Sequence, residues 1–337
     1  MSKFSLLALV LAGGSLVFPK HSHAATFQED FSTDPAAHGW KTVGESSLFQ
    51  WNPAHHCEQI TWDSSRSNSY FALPLGTVLG KEDNFSLAFD LRLSDFVAGV
   101  NPDKPNPFQL AVAFINLDEA SQPGFVRGTG ADSPDLTEFS FFPDPGGAWI
   151  YGPSLTTEMV DSIGTDPGAD WAYGFAGLSL TTDDLFRITM AYTATNQTLH
   201  TQITRNTNEV FATFDAVISN TNFTDFRLNA VAVCSYSDAG QDPQYSGSIL
   251  AHGIVDNVLV TVPPLPVTSI TGNFSNSVWQ VSFLSRSNWV YTLERTPDFQ
   301  TWLPLAPAAN GNGTNLILQD THAPSAKAFY RVKAQRP

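Results

Sequence analysis

Cationic side chains are scarce in this sequence, which has 17 Lys and Arg against 32 Asp and Glu and a formal net charge of -15. Nucleic acids and anionic lipid surfaces are polyanions, and proteins bind them by neutralising phosphates with Lys and Arg. The charge balance therefore argues against nucleic acid and anionic lipid as partners. It suits an exported protein, or one that binds neutral sugars or cations.

Long apolar runs are also lacking, apart from one short run at residues 6–17 that follows Lys3 and precedes the small residues Ser22 and Ala24. This order is typical of a secretory signal peptide. An uncleaved anchor is the alternative, but the run is shorter than the roughly 20 residues that span a bilayer. We expect a cleaved signal peptide at residues 1–24, a secreted or extracellular protein and no membrane span. Association with the cell surface stays open.

Cysteine is rare, with only Cys57 and Cys234 in the chain. Because an exported chain meets an oxidising compartment, the even count predicts one Cys57–Cys234 disulfide. Two buried free thiols are the alternative, since pairing cannot be deduced from sequence.

Motifs of known catalytic sites are absent, including GxSxG, HExxH, the P-loop and the dinucleotide fingerprint. In jelly-roll enzymes that cut glycans, one strand often carries the catalytic carboxylates at alternate positions on one face. Here Glu138 stands alone on its strand. The remaining catalytic candidates are Arg92, Arg187 and His200, on the non-apolar faces of their strands. The alternative is that these residues only cover the solvent face of a sheet.

Alternation of apolar and polar residues is what the sequence has in abundance, as in residues 85–92, 108–114 and 186–193. Such a period of two predicts half-buried strands. No convincing amphipathic helix occurs, and residues 154–163 are the best short helical candidate. Residues 99–107 and 124–135 are rich in Pro, Gly and Asp and predict long surface loops. We expect an all-β fold, with residues 25–262 forming one antiparallel sandwich.

Two strand-like segments bracket this region, residues 27–31 near its start and residues 254–260 near its end. Each carries an acidic residue, which predicts that the first and last strands pair side by side. Carboxylates gathered there, such as Asp30 and Asp256, could share a calcium ion. The alternative is that they are two exposed acids at strand ends.

A proline-rich linker at residues 263–266 marks a change in composition and net charge. Residues 267–337 hold six Lys or Arg and three acids, a net charge of +3, which leaves about -20 for residues 25–266. Alternating aromatic residues such as Trp279, Phe283, Trp289 and Tyr291 continue to the end of the chain. We expect a second, small β-sandwich domain at residues 267–337.

Residues 26–260 resemble the concanavalin A-like jelly rolls, which include laminin G-like domains, legume lectins and several polysaccharide lyases and hydrolases. The resemblance is carried by the sequence segments Glu29-Asp30-Phe31, residues 84–92, residues 137–144 and residues 255–258. It implies an antiparallel jelly-roll β-sandwich, and a structural calcium at Glu29, Asp30 and Asp256. Residues 291–296 and 329–332 resemble a fibronectin type III-like module of exported bacterial proteins, which implies display or spacing.

Candidate ligand-binding residues are aromatic, because a sugar ring has an apolar face flanked by hydroxyls. Trp149, Tyr151, Trp171 and Tyr173 lie among Asp, Gly and Pro, and Gln202 adds an amide on a polar strand face. The alternative is that the aromatic residues pack in the core or beneath loops.

Three functions remain at this point. The leading hypothesis is a secreted, non-catalytic protein whose jelly roll binds an extracellular polysaccharide, a cell-surface glycan or another surface ligand, with no cofactor required. The second is a polysaccharide lyase or glycoside hydrolase with its site on one sheet face shared by Arg92, Glu138, Arg187 and His200. The third is a structural surface protein without a small ligand.

Overall fold

Strands follow the alternating sequence almost throughout the structure, a computed structural model that describes residues 24–127, 133–144, 152–163, 171–207, 209–244, 246–324 and 327–337. Helical structure within these residues is confined to α1 (Leu117–Ala120) and to 3-10 turns at Pro35–His38 and Ser46–Leu48. No helix in the described residues is long and apolar enough to cross a membrane.

One layer of the main sandwich is a nine-stranded sheet. Its strands are β1 (Ala25–Glu29), β3 (Phe49–Asn52), β4 (Cys57–Asp63), β6 (Phe85–Ala98), β7 (Asn106–Pro107), β12 (Phe186–Thr193), β13 (Thr198–Arg205), β14 (Glu209–Val217) and β16 (Gly247–Val262). The order is β14-β13-β12-β6-β16-β4-β3, with β1 and β7 also on β16. Phe27 of β1 lies opposite Val260 of β16, so the predicted pairing of the first and last strands is confirmed.

The other layer is a seven-stranded sheet. Its strands are β2 (Lys41–Val43), β5 (Ser69–Leu79), β8 (Leu110–Ile115), β9 (Leu136–Phe142), β10 (Ser154–Val160), β11 (Trp171–Ala176) and β15 (Leu228–Ser235), in the order β11-β10-β9-β8-β15-β5-β2. The interpretation of residues 154–163 as a helical candidate is wrong. Leu155 and Met159 are buried at positions of equal parity, and a strand sends such residues to one face.

The core lies between the two sheets. Phe89 of the nine-stranded sheet packs against Phe139 of the seven-stranded sheet at 5.9 Å between ring centroids, and Phe96 packs against Phe141 at 5.5 Å. The even-numbered positions of β9, including Glu138, therefore point to the outer face of the seven-stranded sheet.

A smaller pair of sheets follows. Its strands are β17 (Val267–Ser275), β18 (Val278–Ser285), β19 (Val290–Thr296), β20 (Leu303–Asn310), β21 (Asn315–Asp320) and β22 (Phe329–Gln335). They form two three-stranded sheets, β17-β18-β21 and β20-β19-β22, around a separate core that includes Phe283, Tyr291 and Leu293. The predicted fold class is confirmed: the protein is all-β, an antiparallel jelly-roll β-sandwich followed by a small β-sandwich.

Asp83 lies where the small sandwich meets the main one. Its carboxylate accepts hydrogen bonds from Arg286 Nη2 at 2.5 Å and from Arg336 Nη1. Arg286 also donates to the carbonyl of Pro264 in the proline-rich linker, at 3.1 Å. The linker is thus held by side chains of the small sandwich, while the domain boundary at residues 263–266 stays a prediction.

The predicted disulfide is wrong, because Cys57 and Cys234 are both free and buried. Cys57 is on β4, where Ile60 and Trp62 point into the core, so parity sends Cys57 to the outer face of the nine-stranded sheet. Cys234 is on β15, in the seven-stranded sheet. The two thiols therefore belong to different layers, and packed sheets lie about 10 Å apart.

Candidate functional site

Glu138 and Glu158 form a pair of carboxylates on the outer face of the seven-stranded sheet. They lie directly opposite each other on β9 and β10. Residues opposed in this way have Cβ atoms about 4.5–5.5 Å apart, so two glutamates at such a position repel unless a cation lies between them. Arg127 supplies that cation, because its Nη2 nitrogen donates to Glu138 Oε1 at 2.8 Å and also to Glu158 Oε1.

Further donors surround Glu138. Gln109 Nε2 donates to Oε1 at 3.1 Å, Ser140 Oγ donates to Oε1 at 2.5 Å, and Tyr236 OH donates to Oε2 at 2.6 Å. With the bond from Arg127, Glu138 accepts four hydrogen bonds, about as many as a carboxylate has lone-pair sites. A carboxylate with this many donors is held in one orientation, and few of its lone pairs are left to contact a substrate.

The carboxylate pair is also closed to solvent. Exposure is 0% for Glu138, 3% for Arg127 and 4% for Glu158. Burial is the main cause that raises the pKa of Tyr236 well above its usual value, and the neighbouring Cys234 thiol and Glu138 carboxyl add to the shift. Tyr236 therefore stays a protonated donor at neutral pH and does not serve as a general base.

Residues 116–127, here called the covering segment, lie over this face of the sheet. Tyr70 OH donates to the carbonyl of Ala120 at 2.9 Å, and Phe125 stacks on Tyr236 with 6.3 Å between ring centroids. The sheet beneath offers small residues at matching register positions, which lets the segment approach closely. These fully buried residues are Ala72, Ala111, Ala113, Ala232 and Cys234. The prediction that residues 124–135 form a surface loop is wrong at Arg127 and Asp135, because both residues are buried.

An exposed row of aromatic rings lies at the edge of the same face. Trp171, Tyr173 and Phe175 alternate along the edge strand β11 and are 37%, 51% and 61% exposed. Neighbouring rings stack, at 4.4 Å between Trp171 and Tyr173 and 6.3 Å between Tyr173 and Phe175. We call these three residues the aromatic ridge. It presents aromatic ring surface to solvent, and its residue types add a phenol and an indole N–H, the combination that recognises a sugar ring.

The register of β11 places the aromatic ridge beside the carboxylate pair. Tyr173 lies opposite Glu158, which in turn lies opposite Glu138. On the other face of β11, Gly174 lies against the backbone of β14, where an added Cβ would come within 2.2 Å of the Asp215 carbonyl oxygen. This close approach holds the edge strand in place, so the ridge stands on a supported strand.

Arg92, Arg187, His200 and Gln202 lie on the outer face of the nine-stranded sheet, as the alternation predicts. The expectation that Glu138 shares a face with the other three catalytic candidates is wrong. Glu138 points outward from the other sheet, and both layers of the sandwich lie between.

The candidates on the nine-stranded sheet have partners of their own. His200 Nδ1 is 2.7 Å from Asp215 Oδ1, with both side chains about half exposed. Arg187 Nη1 donates to Asp90 Oδ1 at 3.1 Å and to the Asn257 carbonyl at 2.6 Å. These are surface pairs, which contribute little to stability and do not converge on a cleft.

The three predicted calcium ligands serve local hydrogen bonds instead. Glu29 accepts from Phe31 N at 2.9 Å and lies 2.8 Å from His38 Nδ1, while Asp30 accepts from Ser32 N at 3.0 Å. Asp256 accepts from the N–H of the next residue at 2.6 Å. Within the ranges that the structure describes, no group of three or more His, Cys, Asp or Glu side chains could hold a metal ion.

Two predicted ligand residues, Trp149 and Tyr151, lie outside the described residues. Glu158, Arg127 and Phe175 belong to the candidate site, and sequence reasoning missed them. A signal for Glu158 existed, because the alternation of Leu155, Thr157 and Met159 marks a strand whose other face carries it. Nothing in the sequence points to Arg127, which approaches the sheet from a loop.

Comparison with known proteins adds solved structures only. No protein-family model matches the chain, and no curated protein sequence matches it significantly. Solved structures with a similar arrangement include peanut lectin bound to a peptide, at 11% identity and a TM-score of 0.43, covering 71% of this chain and 97% of that one.

Two other solved structures are similar to this chain. Lectin I from Ulex europaeus, in complex with the methyl glycoside of alpha-L-fucose, has 9% identity and a TM-score of 0.43, covering 71% of this chain and 98% of that one. An alginate lyase in complex with an alginate tetrasaccharide has 11% identity and a TM-score of 0.36, covering 70% of this chain and 96% of that one. The fold assignment rests on the strand pairing of this chain. The similarity to these solved structures concerns the fold alone and identifies no ligand.

Proposed function

We propose that this protein is a secreted, non-catalytic protein that binds an extracellular glycan through the aromatic ridge of its jelly roll. The observation that carries the proposal is the exposure of Trp171, Tyr173 and Phe175 in one row on a strand face. Exposed aromatic rows of this kind mark binding surfaces, because large apolar side chains in water are otherwise unfavourable. The surrounding acidic region favours neutral sugars over anionic ones.

The buried carboxylate pair supports a binding function over a catalytic one. Glu138, Glu158 and Arg127 form a buried ion network that fixes the covering segment to the sheet. A substrate would have to displace that segment to reach the glutamates. The arrangement therefore serves to build a rigid surface beside the ridge.

The test is glycan binding by the Tyr173→Ala variant. Tyr173 is the middle ring of the aromatic ridge, and its loss also removes the stacking partner of Trp171 and Phe175. We expect binding to neutral glycans on an array, and by calorimetry, to weaken about tenfold or more, since one aromatic contact contributes about 1.4 kcal/mol.

The matched control is Val210→Ala. Val210 is 60% exposed on β14 and lies outside the ridge, so its variant should bind like the parent protein. Equal binding by the Tyr173→Ala variant and the parent would remove the ridge from the binding surface.

A second candidate function is polysaccharide cleavage at the carboxylate pair. One nitrogen of Arg127 contacts both Glu138 and Glu158, so the two carboxylates are close enough to act as an acid/base pair if the covering segment moves aside. Turnover of any polysaccharide in a panel, lost in a Glu158→Gln variant that still folds, would favour this function. Absence of turnover would leave the binding function in place.

A further inference from the structure

The outer face of the last small sheet carries a cluster of aromatic and cationic side chains. Tyr330 and Val332 of β22 pack toward the core of the small sandwich, so Phe329, Arg331 and Lys333 point the other way. Across the sheet, Pro304 of β20 and Arg331 of β22 both lie opposite Glu294 of β19. We call the surface formed by Phe299, Trp302, Lys327, Phe329, Arg331 and Lys333 the aromatic face.

Rings and cations contact each other on the aromatic face. Phe299 lies 3.8 Å from Phe329 and 6.2 Å from Trp302 between ring centroids. The guanidinium of Arg331 lies 4.1 Å from the centroid of Trp302, and the Lys327 ammonium lies 4.7 Å from that of Phe329. Such contacts keep positive charge beside apolar ring surface at the protein's exterior.

Phe299 is held in a backbone conformation that a bulky side chain rarely adopts. Its φ is 66° and its side chain is 57% exposed. Thr296 Oγ1 fixes the turn by accepting from the N–H groups of Asp298 at 3.3 Å and Phe299 at 3.1 Å. Glycine or asparagine would take this position at lower cost, and strain that persists at an exposed residue is typical of ligand-contacting sites.

The charge of the small sandwich differs in sign from that of the rest of the chain. Residues 267–337 carry +3, against about -20 for residues 25–266. Glu294 lies beneath the aromatic face and accepts from Arg331 Nε at 2.7 Å, which balances its charge, and Asp298 adds a second carboxylate in the turn before Phe299. Lys327 and Lys333 are exposed and leave the face positive.

We propose that the aromatic face binds an acidic polysaccharide, a second ligand class separate from the neutral glycan assigned to the aromatic ridge. Sugar rings stack their apolar faces on aromatic rings, and uronate carboxylates pair with Lys and Arg. Nucleic acid also stacks and carries negative charge. Its denser charge is disfavoured beside a region of about -20.

The experiment measures native-gel retardation of the full chain in sodium polygalacturonate, with dextran as the neutral polymer and single-stranded oligonucleotide as the competing polyanion. We expect retardation by polygalacturonate and not by the oligonucleotide, while any retardation by dextran reports on the aromatic ridge and not on the aromatic face. The Phe299→Gly variant should bind polygalacturonate about tenfold more weakly, the loss expected for one aromatic contact.

Thermal unfolding separates binding from folding in the same variant. Glycine relieves the strained φ of residue 299 but removes its contacts with Phe329 and Trp302, so the unfolding temperature of Phe299→Gly should stay close to that of the parent, although its binding falls. Phe274→Ala, at another exposed phenylalanine on β17 of the same sandwich, should bind like the parent. Unchanged polygalacturonate binding by Phe299→Gly, or retardation by the oligonucleotide but not by polygalacturonate, would overturn the proposal.

Discussion

Two buried glutamates of the main sandwich have opposite surroundings. Glu138 is surrounded by Arg127 and three further donors, whereas Glu58 Oε2 is buried without a hydrogen-bond partner among the described residues. Burial raises the pKa of Glu58 to about 8, and the negative charges of Asp34 and Glu29 add to the shift. A carboxyl group in these surroundings is stable in its neutral form.

Glu58 should make folding stability depend on pH. Its pKa is about 8 in the folded chain and near 4.5 in the unfolded chain, so the folded state binds the extra proton between these values. Stability contributed by the neutral carboxyl is therefore present below pH 4.5 and is lost as the pH rises toward 8. In urea unfolding, we expect the stability lost between pH 5 and pH 8 to be smaller in Glu58→Gln than in the parent by about 2 kcal/mol.

The control for this prediction is Asp103→Asn, at an exposed loop residue. Its unfolding free energy should follow the pH dependence of the parent. Parallel curves for the parent and Glu58→Gln would mean that Glu58 is already ionised in the folded protein.

At the scale of elements, the alternation of apolar and polar residues predicted most strands. The wrong predictions share one cause, which is that local sequence does not determine which strands are neighbours. Residues 154–163 contain two adjacent threonines and a glutamate among apolar residues, so a period of two is weak over so short a stretch. The pairing with β9 settles the strand and brings Glu158 opposite Glu138. Because that contact depends on which strands are neighbours, local sequence could not predict the carboxylate pair.

The covering segment shows a second limit of local sequence. The Gly, Pro and Asp content of residues 124–135 predicts a surface loop, but Arg127 is buried, and its burial depends on small residues from other strands. Likewise, an even number of cysteines says nothing about whether Cys57 and Cys234 lie in the same layer. Strand existence could be predicted from the sequence, whereas the side chains that meet across strands could not.

The edge strand β11 offers a test of how the aromatic ridge is supported. An alanine at position 174 would place its Cβ within 2.2 Å of the Asp215 carbonyl oxygen, so β11 or β14 must move. We expect Gly174→Ala to destabilise the protein by about 1–3 kcal/mol in urea unfolding and to weaken glycan binding at the ridge.

Gly177→Ala is the matched control, because no atom lies within 4 Å of the added Cβ. This substitution should leave both measurements near those of the parent. If Gly174→Ala destabilises the protein without affecting binding, the position of β11 does not matter for the ligand.

For the whole molecule, the contact at Asp83 bears on whether the two sandwiches act separately. The aromatic ridge belongs to the acidic main region, and the aromatic face belongs to the basic small sandwich. Arg286 and Arg336 of the small sandwich meet one buried carboxylate of the main sandwich, so an opposite-charge contact holds the two together. Such a contact keeps both proposed surfaces in a fixed relation.

Asp83→Ala should release this contact. It leaves Arg286 and Arg336 without their shared carboxylate, and removing one partner of a buried ion pair is strongly destabilising. Because the linker carbonyl of Pro264 is held by Arg286, the linker should open. We expect limited proteolysis near residues 262–267 to become about tenfold faster and to release two stable fragments, since cleavage follows the population of the open form.

Asp242→Ala, at an exposed residue, should be cleaved at the parental rate. General degradation of the main sandwich in Asp83→Ala would mean that the two regions fold as one unit. Residues 263–266 would then not separate two independently stable domains.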